Sequence, residues 1–212
     1  MVSDGVSPVS KVSQEKAQQN RERVVQAAAR LYRERGFEGV GISDVMKSVG
    51  LTHGGFYAQF PSKDHLMAEA CSHCTDTLNA SWMELLRRSP RRNLSALAAA
   101  YLSKEHRDDP GSGCVVASLG ADMSRQGTLV RSTFTAGIKR TVEFLMQVIP
   151  GRSAKARRRE ALASFSAMVG AVVLARAVND EALSQEILDA THAHITALDA
   201  ALSHSDVRNR PV

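Results

Sequence analysis

The 212-residue chain is 43% hydrophobic and 23% charged, with a formal net charge of +5, the balance of an ordinary soluble globular protein with room for one large domain or two modest ones. The positive charge suits a polyanionic partner but does not single one out. The richest apolar stretch, Ala167 to Ala177, is shorter than the ~18 to 20 residues of a membrane span and carries Arg176 near its end; the polar stretch Met1 to Gln19 lacks the apolar core of a secretory signal. A cytoplasmic protein with no membrane partner is expected. Cys71, Cys74 and Cys114 are odd in number and two lie three apart, which favours reduced thiols over a disulfide framework.

The elements follow in chain order, and all of them read as helix. Prolines fall only at Pro8, Pro61, Pro90, Pro110, Pro150 and Pro211, and apolar residues between them recur at three- and four-residue spacing. Residues 1–19, polar and Ser-rich, are expected to be a disordered arm. A helix from about Asn20 to Arg35 places Val24, Ala28 and Leu31 on one face; Gly36 is suited to the left-handed position that ends it, with Phe37 folding back near Tyr32. Gly41 can cap a short helix from Ile42 to Val49, and Gly50 makes a turn. Thr52 then caps a helix through about Gln59, with Phe56 and Phe60 facing inward. Two short helices joined by a glycine turn form a helix-turn-helix arrangement. Beyond Pro61 and Ser62 the expected helices are Lys63 to about Arg88, Asn93–His106, Cys114–Arg125, Leu129–Ile149, Ala154–Val178 and Glu181–Leu202, with a loose tail over 203–212.

Residues 21–69 resemble the tetracycline-repressor (TetR/AcrR) family of regulators. The likeness lies in Arg35-Gly36-Phe37, in the run from Ile42 to Thr52, and in Gly55-Phe56-Tyr57-Ala58-Gln59-Phe60-Pro61-Ser62-Lys63. It implies an all-α protein with a three-helix DNA-binding head over residues 20–66 and a helical ligand-binding and dimerisation body over 67–202. The implied function is a transcriptional regulator, a repressor above all, released from a palindromic double-stranded DNA operator by a small-molecule effector; no catalysis, metal or cofactor is implied. The residues support the DNA reading independently, because a helix entering the major groove must anchor through one face and show polar or small residues on the other. With Phe56 and Phe60 as anchors, His53, Gly54, Gly55, Tyr57 and Gln59 face DNA. Tyr57 and Lys63 have the reach to hold phosphates, the role their positions have in the family, and Ser43 and Thr52 at helix starts suit phosphate oxygens. Gly54 and Gly55 cost about 1 kcal/mol each in a helix relative to Ala and remove two side chains from the reading surface.

In the body, Leu162, Phe165, Val169 and Val172 form one apolar stripe and Leu188, Ile195, Leu198 and Leu202 another. Two such helices suit half of an intermolecular four-helix bundle, and the resemblance implies the same homodimer. Trp82, Tyr101, Cys114, Met123, Phe134 and Met146 lie between the head and these helices. They have the composition of a small-molecule pocket, which the resemblance implies for this region, and equally that of plain core.

Three further readings concern cysteines. Cys71 and Cys74, with His73 between them, invite a zinc reading, but they share a helix with Leu66 and Leu78 and the second half of a site is missing. Cys114 with His106 is the nearest approach to a nucleophile and base, with no supporting spacing. Cys114 also follows the loop Asp108 to Gly113 at an expected helix start, where the helix dipole stabilises a thiolate; some members of the family sense oxidants or electrophiles through a cysteine. The alternative is a small core residue that closes the helix against a pocket wall.

Overall fold

The computed structural model describes residues 8–89, 94–150 and 153–207, and every regular element among them is helical. Helix α1 spans Pro8–Arg35. It therefore starts well before Asn20, and residues 8–19 are helix rather than a disordered arm; residues 1–7 lie outside the described part. Proline is well placed in a first helical turn, and Gln14-Glu15-Lys16-Ala17-Gln18-Gln19 are strong helix formers that extend a helix already nucleated downstream. Having no apolar stripe, the extension leaves no periodic signal.

Gly36, at φ 74°, ends α1 with its N–H on the Tyr32 carbonyl at 2.8 Å, and the Phe37 ring packs 5.2 Å from that of Tyr32. Helix α2, Ile42–Ser48, begins at Gly41, whose N–H donates to Asp44 Oδ2 at 2.8 Å; Gly50, at φ 73°, makes the following turn. The next element departs from expectation. In place of a helix reaching Gln59 there is a single 3-10 turn, His53–Gly55, closed by bonds from Gly55 N–H to the Thr52 carbonyl and from Phe56 N–H to the His53 carbonyl, both 3.1 Å. Two adjacent glycines weaken α-helical propagation, and the inward anchors do the holding: Phe56 and Phe60 stack at 5.4 Å and are buried.

Ser62 then caps α3, Lys63–Arg88, and α4, Leu94–Tyr101, follows. The helix expected over 93–106 breaks after Leu102, because Ser103 caps a separate short helix, α5, Lys104–Asp108, by accepting from His106 N–H at 3.2 Å. Helices α6, Val115–Met123, α7, Thr128–Val148, α8, Ala154–Ala177, and α9, Glu181–Val207, complete the order. Helix α9 passes Leu202 and continues through the start of the expected tail; residues 208–212 lie outside the described part. By length and composition α8 is apolar enough to cross a membrane, contrary to the sequence reading, and it packs against α6, α7 and α9.

Two apolar cores result. The head core joins α1, α2 and the aromatic anchors to Leu66, Met67, Ala70, Cys71 and Cys74 of α3, and also to Val115, Leu119, Met123 and Val130. The body core gathers Trp82, Leu97, Tyr101, Cys114, Leu145, Phe165, Val172, Leu188 and Ile195. Val116 of α6 packs against both. The expected boundary at residues 66/67 thus falls inside one unbroken helix, and the body supplies part of the head core.

Candidate DNA-binding face and ligand cavity

The head presents a compact polar surface. Tyr57 is 62% exposed, and Ser43, Thr52, His53 and Gly54 are exposed beside it. Ser43 Oγ and His53 Nδ1 lie 2.8 Å apart, which fastens the 3-10 turn to the start of α2, and the rings of His53 and Tyr57 are 6.2 Å apart. Behind this surface the Arg21 guanidinium lies over the Phe60 ring and pairs with both oxygens of Glu69. Three of the expected DNA-facing residues sit differently. Lys63 Nζ donates to the Phe37 carbonyl at 2.8 Å, tying the start of α3 to the end of α1. Gln59 is half-buried with its amide nitrogen 3.4 Å from the Gly55 carbonyl, because the turn lacks the extra helical residues that would swing it outward; Gly55 is half-buried as well.

A cavity of about 500 Å3 opens in the body. Leu78, Ser81, Trp82 and Leu85 of α3 form one wall, Ala100 and Tyr101 of α4 another, and Ser103, Glu105, His106, Asp109, Ser112, Gly113 and Cys114 the third. Of the residues read as pocket in the sequence, Trp82, Tyr101 and Cys114 line this cavity. Met123 lies in the head core, Phe134 packs against that core, and Met146 packs against the body core without lining the cavity, because each points from its helix into an interface with a neighbouring helix. Cys114 apart, the sequence does not mark the third wall: Ser103, Glu105 and His106 read as the end of the helix expected over 93–106, and Asp109, Ser112 and Gly113 as loop. The pair Gly111 and Gly113 was the available signal of close approach, since a Cβ on Gly111 would come 2.5 Å from Glu34 Oε1 and one on Gly113 2.8 Å from the His106 ring.

His106 organises that wall. Its Nδ1 lies 2.5 Å from the Tyr101 carbonyl and its Nε2 accepts the Cys114 backbone N–H at 2.9 Å, so the ring is a neutral imidazole protonated at Nδ1. Burial holds its pKa below the ordinary value, assisted by the nearby Arg176 and Arg33 charges. With both nitrogens committed, the ring has none free to act as base for the Cys114 thiol. Cys114 is buried at the start of α6, and burial pushes its thiol pKa up despite the helix start. This burial matches the small-core-residue alternative. Burial likewise raises Cys71 to about 12 and Cys74 to about 11, within the apolar head core.

The cavity wall also grips the head. Arg33 donates to the Gly113 carbonyl at 2.8 Å, and Arg30 pairs with Asp109 at 3.5 Å and approaches Ser112 Oγ at 3.4 Å. One short segment, 109–113, therefore lines the cavity on one side and is bonded to α1 on the other.

The stripes expected at a dimer seam divide. Phe165, Val172, Leu188 and Ile195 are buried in the protomer's own core, Val169, Leu198 and Leu202 are half-buried, and Leu162 is exposed. Helix α8 has a second apolar face, turned outward, where Leu162, Val173 and Leu174 are 42%, 43% and 56% exposed; Gly170 beside them has open space above it, and Leu183 of α9 is 43% exposed.

Comparison with known proteins bears on both parts. The family profile described as "Bacterial regulatory proteins, tetR family" matches residues 24–70. An uncharacterised helix-turn-helix transcriptional regulator of Bacillus subtilis, YerO, is 31% identical over 55 residues, a match spanning 26% of this chain and 19% of that protein. Over most of its length the chain is similar to a TetR transcriptional regulator from Chloroflexus aurantiacus, at 25% identity and TM-score 0.70, covering 86% of this chain and 95% of the other. The reduced form of E. coli NemR superposes with TM-score 0.69 at 23% identity, covering 84% and 95% of the two chains. A TetR-family regulator from Cytophaga hutchinsonii does so with TM-score 0.71 at 16% identity, covering 86% and 96%. At these last two identities the likeness concerns the fold.

Proposed function

We infer that this chain, which belongs to the TetR family of bacterial transcriptional regulators, acts as a cytoplasmic repressor: a homodimer on a palindromic operator, released by a small-molecule effector. In this reading Tyr57, Ser43 and Thr52 hold phosphates, and Lys63 at the start of α3 joins them by exchanging the Phe37 carbonyl for DNA. His53 is the side chain best exposed to base edges, Gln59 reaches them after a small outward movement, and the bare backbone of Gly54 and Gly55 allows close approach to DNA.

The outward stripe on α8 and α9 supplies the homodimer seam in this proposal, with Gly170 admitting a partner helix. A twofold dimer sets two heads about one helical turn, ~34 to 36 Å, apart on DNA. The effector must bind the DNA-competent and released arrangements with different affinity, since equal affinity shifts nothing.

The observation that carries the reading is segment 109–113, which is cavity wall and head contact at once. The test is gel retardation of the DNA upstream of the chain's own gene. Retardation by the dimer, competed by that DNA and not by scrambled sequence, is the expected result; equal retardation of both would remove the operator reading.

A further inference from the structure

Positive charge gathers at the end of the body away from the head. Helix α8 opens with Lys155, Arg157, Arg158 and Arg159, and its first turn holds no acidic residue. Cations there oppose the helix dipole and one another, so the arrangement weakens the helix start rather than supporting it. Lys155, Arg158 and Arg159 are exposed and form no ion pair among the described residues, and Glu160 accepts from the Ser164 hydroxyl. In the last turn of α3 the side chains of Arg87 and Arg88 are 71% and 78% exposed and share the one carboxylate of Glu84.

The two groups lie at the same end. Helices α3 and α7 run parallel, since Asp76 pairs with Arg140 near their middles while Met83 and Leu86 face Phe144, Gln147 and Val148 near their ends. Helix α8 starts at Ala154, shortly after α7 stops at Val148. The opposite end of α3 is the one tied to the head, through Lys63 and the Phe37 carbonyl. Over residues 84–88 and 154–160 six cations stand against two carboxylates, whereas the head, residues 20–66, has seven against five. The far end is therefore the more positive surface. Lys155, Arg158, Arg159 and Leu162 also share one face of α8. A twofold seam through Leu162 and Val173 would set the cations of two copies side by side, which is repulsive until an anion lies across them.

Five of the six cations are arginines, whose planar fork matches phosphate, and they stand on open helix ends that suit a long polyanion. No aromatic side chain is exposed at this end among the described residues, whereas a lipid interface favours them. DNA is the polyanion already held by the heads, and a neighbouring stretch of it is present at high effective concentration. We propose that this end of the body is a second DNA-binding surface, indifferent to sequence, which holds the phosphate backbone of another duplex segment while the heads hold the operator. This rests on the reading of the chain as a DNA-binding dimer and adds a second partner site.

The experiment uses the intact protein, the fragment upstream of its own gene fixed to beads, and a fluorescent scrambled duplex in solution. The parent is expected to capture the scrambled duplex on the beads, with capture falling steeply as salt rises. Arg158→Glu/Arg159→Glu should lower capture about tenfold while retarding the upstream fragment within about twofold of the parent. Arg87→Gln/Arg88→Gln, on the other helix, should lower it about threefold, so the result stands even if the α8 variant disturbs the seam. No capture by the parent overturns the second surface and leaves the operator reading in place. Capture that survives both variants, as it would if each head of the dimer took its own duplex, does the same. Capture abolished by phosphatidylglycerol vesicles but not by excess unlabelled scrambled duplex gives the surface to a membrane and also overturns the proposal. Equal retardation of upstream and scrambled DNA removes the operator reading; loss of scrambled-duplex binding in the two arginine variants then supports the second surface alone, and unchanged binding removes both.

Discussion

The Arg33 guanidinium, in the last turn of α1, donates to the carbonyl of Gly113 in the cavity wall at 2.8 Å, so the head and the cavity share a hydrogen bond. Arg33→Met removes the donor and leaves that carbonyl unpaired, a loss on the order of 1 kcal/mol. Amides of segment 109–114 should then exchange with solvent about fivefold faster. Unchanged exchange there would mean that the bond does not hold the wall to the head.

On the DNA face, Tyr57→Phe should weaken binding to specific and scrambled DNA alike, because a phosphate contact carries no sequence information. Its melting temperature should stay near the parent's, since the side chain is largely exposed. Ser43→Ala releases His53 from its 2.8 Å partner and should lower preference for the operator over scrambled DNA by about fivefold. Titrations against both DNAs at several salt concentrations separate the two effects.

At the proposed seam, Val173→Glu should convert a dimer to a monomer that remains folded, because the side chain faces outward in the protomer. Val172→Glu, one residue away and buried in the protomer core, should unfold the chain instead, at a cost of several kcal/mol. Sedimentation equilibrium with far-ultraviolet circular dichroism reads both outcomes. A Val173→Glu protein that still sediments as a dimer would place the interface elsewhere.

The pH dependence follows from His106. Its folded pKa lies below the ordinary 6.5, chiefly through burial, while the groups facing it are the Tyr101 carbonyl, the Cys114 N–H and the Arg176 and Arg33 cations. As pH falls through 6.5 the unfolded chain takes up a proton that the folded ring does not, so stability is present in full above that value and declines in the window below it. The urea midpoint should therefore drop between about pH 7.5 and 5.5. His106→Asn, although less stable overall, should lose part of that slope; an unchanged slope would assign the pH dependence to other groups.

The head was legible because its signals are local and redundant. Gly36 ends a helix, Ser62 caps one, and Phe56 with Phe60 marks the buried side of the turn. The same stretch misled where two tendencies competed, since capping at Thr52 predicts a full helix while Gly54 and Gly55 permit only a 3-10 turn. In the body, periodicity located α8 but not its orientation. Phe165 with Val172 and Leu162 with Val173 are both apolar stripes, and spacing alone does not tell which faces the protomer's own core. The cavity wall stayed hidden because Ser103 to His106 reads as the end of one longer helix and Asp108 to Gly113 as loop; only folding brings His106, Gly113 and Arg33 together.

Helix α3 runs 26 residues, about 39 Å, without a break, from the first turn beside the head past the cavity at Trp82. It is locked to α7 where a Cβ on Gly137 would lie 2.7 Å from Thr75 Oγ1. No exposed connecting segment separates head from body along this rod, and the head borrows Val115, Leu119 and Met123 for its own interior. A fragment ending near residue 66 would therefore expose the underside of its core. The head shares its interior with the body, so the orientation of the candidate DNA-facing residues is set by the body that carries them.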